Sequence, residues 1–101
     1  MNSTINFRAI HTHALPYLPA IVRRILPDGR LQGHEYVARN PNRADRHLGS
    51  FKVNLRTAHW ADFATGDKGG DVTSLVAYML TMNQADAAAY IERITGGQHG
   101  K

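Results

Sequence analysis

Residues 50–82, SFKVNLRTAHWADFATGDKGGDVTSLVAYMLTM, change their hydrophobic period part-way along, and that change constrains the fold more than any other feature. Phe51, Val53 and Leu55 alternate with Lys52, Asn54 and Arg56, the period of a strand with one buried face. Arg56-Thr57-Ala58 reads as a turn into a second strand, His59 to Phe63, which makes a hairpin. Gly66, Gly69 and Gly70 follow, where side chains would obstruct a sharp change of direction or a close backbone approach. From there the period is helical: Val72, Leu75, Val76, Met79 and Leu80 form one stripe, and Asp71 can cap the helix by accepting from its free amides. Strand, strand, glycine loop and capped helix form the centre of the predicted domain.

The flanks are built around it. Ile5, Phe7, Ala9 and Ile10 can open a helix, but Pro16 and Pro19 limit its continuation because each removes a backbone donor. Pro19 suits the first turn of a helix predicted to run to Leu26, with Ile21, Val22, Ile25 and Leu26 inward and Arg23 and Arg24 outward. Leu26-Pro27-Asp28-Gly29 stops it. Arg30 to Arg39 is expected to hold one or two strands, of which His34 to Arg39 is the better candidate. Residues 40–49, polar and broken by Pro and Gly, read as a loop, so Arg39, Arg43 and Arg46 fall in a short arc. Asn83 should cap a last helix, Gln84 to Ile94, packed through Ala87, Tyr90, Ile91 and Ile94. The expected fold class is α+β: a small antiparallel sheet of three or so strands, an N-terminal helix and two C-terminal helices. The domain is read as residues 1–97, with 98–101 a disordered tail.

At 101 residues there is room for one modest core, and an apolar fraction of 43% excludes a disordered chain. No apolar run approaches the ~20 residues of a membrane span. The N-terminus lacks the basic segment and long apolar run of a signal peptide, so the expected location is the cytoplasm. With no cysteine, disulfides, a catalytic thiol and thiolate zinc sites are excluded. Residues 1–60 carry nine Lys and Arg against three acids, and residues 61–101 three against five, so the +4 total is concentrated in the first half. Such a distribution suits a phosphate-facing surface on one side, or cations that merely solvate the hairpin.

With these elements placed, Glu35-Tyr36-Val37, Asn40-Pro41, Gly49-Ser50-Phe51-Lys52-Val53-Asn54, Trp60-Ala61-Asp62-Phe63 and Gly69-Gly70-Asp71-Val72-Thr73-Ser74-Leu75 come in a distinctive order. That order resembles the N-terminal zinc-ribbon domain of bacterial and phage DNA primases over roughly residues 34–82. The family has a Cys-Pro-x-His or Cys-Pro-x-Cys knuckle, Ser-Phe-x-Val-Asn on a strand, a Cys-Phe-x-Cys knuckle, and Gly-Gly-Asp opening a helix. The positions matching its four zinc ligands are here Asn40, Arg43, Asp62 and Thr65. Amide, guanidinium and hydroxyl do not ligate zinc, so the expectation is a ribbon without metal or other cofactor. Trp60, Phe63 and the two helices are then expected to replace the lost staple with buried area. The family's polymerase resides in a separate carboxylate-bearing domain, so the resemblance carries over no enzymatic activity.

Other signals are weaker. Gly66 to Ser74 lacks the Gly-Lys-[Ser/Thr] ending of a phosphate-binding loop. Asp62, Asp67 and Asp71 fit no calcium-loop spacing, and the histidines show no ligand spacing. The functional case rests on Arg39, Arg43, Arg46, Lys52 and Arg56 as a phosphate-tracking surface. Tyr36 and Trp60 either stack bases or pack into the core. By resemblance, the expected role is nucleic-acid binding, single-stranded DNA above all, in an accessory module for replication of a phage, plasmid or other mobile element. The alternative is an adaptor that docks a primase, helicase or other DNA-processing protein without touching DNA.

Overall fold

The computed structural model describes residues 5–40 and 50–96. Arg43, Arg46 and the predicted tail at 98–101 lie outside the described residues. The order is α1 (Phe7–Ala14), a 3-10 turn (Leu15–Tyr17), α2 (Leu18–Ile25), β1 (Arg30–Gln32), β2 (Glu35–Ala38), β3 (Phe51–Asn54), β4 (Trp60–Asp62), β5 (Lys68–Gly69), α3 (Val72–Leu80) and α4 (Gln84–Thr95). The five strands form one antiparallel meander in chain order, β1-β2-β3-β4-β5. The α+β class is as expected, and no helix among the described residues is long and apolar enough to cross a membrane.

The structure has more elements than the sequence-based expectation. The N-terminal helix is preceded by a second, α1, whose cap is the Asn6 side chain accepting from Ala9 N. Pro16 and Pro19 do not break the run, because each sits at the start of a new helical segment where no donor is required. The sheet reaches five strands through β1, the second of the strands allowed over Arg30 to Arg39, and the unexpected β5, of three and two residues and too short to display a hydrophobic period.

The central hairpin sets the inner face. Asn54 accepts through Oδ1 from the amides of Arg56 and Thr57, and its carbonyl accepts from Ala58 N, so the chain reverses in a four-residue turn. Ala58 closes it at φ 69, with its methyl group buried in the core. The resulting register opposes Phe51 to Asp62, Lys52 to Ala61 and Val53 to Trp60. Partners across a ladder share a face, so Phe51, Val53 and Trp60 all turn toward the helices. They meet Val72, Leu75, Val76 and Met79 of α3, and α3 lies against α1, α2 and α4.

Trp60 is 6% exposed, its indole Nε1 donates to Ser74 Oγ at 3.0 Å, and its ring lies 5.7 Å from Phe51 and 4.7 Å from Tyr78. Tyr36 is 4% exposed and donates to the Leu26 carbonyl at 2.7 Å, pinning the end of α2 to the sheet. Both rings belong to the core, which corrects their assignment as base-stacking candidates. Glycine makes the two placements possible: a Cβ on Gly69 would collide with the Trp60 indole and Ser74 Oγ, and one on Gly29 with the Tyr36 ring.

Asp71 caps α3 as expected, its carboxylate accepting from Ser74 N at 2.7 Å, while His11 Nδ1 accepts from the Val72 amide and so ties α1 to the same helix start. Asn83 caps α4 in the same way, through Asp86 N. Asp71→Ala should cost about 1 kcal/mol through the lost cap. Trp60→Ala should cost about 3–5 kcal/mol, because it removes an aromatic that touches sheet and helix together. Urea unfolding of the two variants checks that ranking; equal losses would contradict it.

Candidate nucleic-acid interface

The register that turns Trp60 inward also defines what faces outward. One row crosses every strand of the sheet: Arg30, Val37, Lys52, Ala61 and Lys68. At about 4.8 Å between strands, four steps carry this row over about 19 Å. The neighbouring row holds Gln32, Glu35 and Asn54. On the other side Arg39, Ser50 and Phe63 continue the same parity just past the strand ends, and Phe63 N donates to the Ser50 carbonyl at 2.7 Å. Val37 is buried in the middle of this face, and Glu35 is its one carboxylate among the described strands.

Of the sequence-predicted site residues, Arg39 and Lys52 fall on this face. Arg56 does not: β3 ends at Asn54, and Arg56 is exposed at the hairpin tip, at the opposite end of that strand from Arg39. Arg30 and Lys68 join the face instead, brought in by the two short outer strands. Phe63 is the larger correction. Expected to be buried, it is 68% exposed, and Lys52 Nζ lies over its ring at 5.6 Å from the centroid. The signal was present in the sequence: Trp60 and Phe63 are an odd number of residues apart, so a continuous strand puts them on opposite faces.

Beneath Phe63 lies a buried polar knot. Asp62 is fully buried, its Oδ2 accepting from Asn40 Nδ2 at 2.7 Å and its Oδ1 from the amides of Ala64 and Thr65 at 2.9 and 3.3 Å. Asn40 Nδ2 also donates to the Tyr78 hydroxyl, which donates in turn to Asp67 Oδ2 at 2.8 Å. The knot thus joins the end of β2, the β4–β5 turn and α3. Asn40, expected in a solvated loop, is 1% exposed because it supplies donors to the carboxylate.

Asn40, Asp62 and Thr65 are three of the four positions that the primase resemblance pairs with zinc ligands. Their donor set does not fit that metal: no thiolate or imidazole is present, and the Asp62 oxygens are turned to amide groups. Among the described residues no three His, Cys, Asp or Glu side chains converge as a metal site.

Burial, followed by the bond to Asp67, pushes the Tyr78 hydroxyl above the usual tyrosine range, while Asn40 and Thr65 pull it back. Burial likewise raises Tyr36, opposed by the charge of Arg23 and the backbone of Gly29. No known family model, curated protein or solved structure matches this chain.

Two outcomes follow from the knot. Asp62→Ala removes the acceptor shared by the buried Asn40 amide and the part-buried amides of Ala64 and Thr65, and should cost about 3 kcal/mol in urea unfolding; a loss no larger than that of an exposed-site variant would contradict the arrangement. The raised tyrosines act at alkaline pH. Unfolded tyrosines ionise near pH 10, and the folded chain holds these two protons longer. The stability they contribute is whole below that pH and is lost as pH rises through the higher folded values. The melting temperature should therefore fall above about pH 10, less steeply in Tyr78→Phe, with tyrosinate absorbance lagging that of the urea-unfolded chain.

Proposed function

We propose that this chain binds single-stranded DNA through the outer face of its sheet, as an accessory module in the replication of a phage, plasmid or other mobile element. The observation that carries the reading is the composition of that face: Arg30, Arg39, Lys52 and Lys68, with Glu35 the one opposing carboxylate among the described strands. Cations spread over about 19 Å suit a linear polyanion rather than a single bound ion. The resemblance to the primase zinc ribbon supports the same reading. Its Ser-Phe-x-Val-Asn and Gly-Gly-Asp elements match β3 and the cap of α3, and three of its ligand positions meet in one hydrogen-bonded knot where a metal would otherwise join the two turns.

Each phosphate neutralised on a single strand releases condensed counterions, so log affinity should fall against log salt with a slope of roughly 0.7 per contact. Changing Lys52 and Lys68 together to Ala should lower that slope by about 1.4, with little change in stability because both side chains stand outside the core. Arg56→Ala should change it less. Titration of a labelled oligonucleotide at several salt concentrations checks this. Binding that is absent near physiological salt, or indifferent to the lysine pair, overturns the reading in favour of an adaptor that docks a replication protein.

A further inference from the structure

We infer that Phe63 is the specificity-determining residue of this face, a stacking platform for one unpaired base; the inference rests on the single-strand reading above. Phe63 is the most exposed large apolar side chain among the described residues, at 68% against 53% for Leu31 and 46% for Tyr17. A phenyl ring left in water gains nothing from folding, and yet its backbone is tied into the fold on both sides. Its amide donates to Ser50 O, the residue before it is the buried Asp62, and the next two amides are bound by the Asp62 carboxylate. The knot therefore fixes the direction in which the ring projects.

The surroundings name the ligand. Lys52 Nζ stands over the ring, and Arg39 continues the same outer row across Ser50. An aromatic ring among cations matches a strand that offers a phosphate and a base face within one nucleotide, where the ammonium pairs with the phosphate and the ring with the base. A duplex presents the same phosphates but keeps its bases paired and stacked inside, so the ring finds no partner there. The cations alone would bind both forms; Phe63 separates them. An apolar protein partner would use the ring differently, as plain hydrophobic area, which leucine also provides.

The test measures fluorescence anisotropy of an unstructured, mixed-sequence oligodeoxynucleotide and of a duplex of equal length, at low salt, with wild type and Phe63→Ala, Phe63→Leu and Phe63→Trp. Alanine and leucine should each weaken single-strand binding about ten-fold while leaving duplex binding and the melting temperature unchanged. Tryptophan should keep the affinity, and its emission should be quenched by the single strand beyond any quenching of wild-type Trp60. Unchanged affinity in Phe63→Ala, or full affinity in Phe63→Leu, overturns the stacking role. In that case a salt slope that still responds to the lysine pair leaves the cationic reading standing. A wild-type chain that binds neither probe overturns both.

Discussion

A carboxylate excluded from water must be given donors by the protein around it, and the placement of Asp62 at the end of β4 makes that demand on three separate segments. It draws Asn40 inward from the end of β2, it closes the turn that leads to β5, and through Asn40 it engages Tyr78 of α3. An unmet donor or acceptor at such a site costs more than a satisfied one contributes, so the arrangement is favoured as a whole or not at all. This polar junction stands at one end of the sheet, and the Trp60, Phe51 and Tyr78 rings pack beside it as the apolar counterpart. Together they hold the sheet against the helices in a chain that has no covalent cross-link.

The same junction connects stability with the proposed function. Strand parity makes Asp62 and Phe63 opposites: when the carboxylate is buried, the adjacent ring is in solvent. The energy that locks Asp62 also presents Phe63 beside Lys52, so a change in the core of this turn would be felt on the outer face. The basic row depends on the fold in a similar manner. Arg30, Lys52 and Lys68 are far apart in sequence and become neighbours only because five short strands pair in chain order.

Most of the central unit was legible in the sequence. The alternation around Val53, the stripe from Val72 to Met79 and the Asp71 and Asn83 caps are local patterns, in which the nearest neighbours in sequence supply the physical reason. The candidate site was legible in part. Arg39 and Lys52 were identified from charge and alternation, whereas Arg30 and Lys68 sit in strands with no pattern of their own, formed because a neighbouring strand offers unpaired amides and carbonyls.

What the sequence by itself determined, then, is the identity and order of the hairpin and the capped helices, since period, caps and turn residues act over a few positions. Which of Trp60 and Phe63 is buried was decided only by tertiary structure. Slipping the β3–β4 register by one residue would exchange the faces of Trp60 and Phe63, and that register depends on a turn closed by an alanine at positive φ, a conformation its side chain does not announce. The packing of the Ala58 methyl and of the Trp60 indole against α3 selects the turn, and with it the face that remains open to solvent.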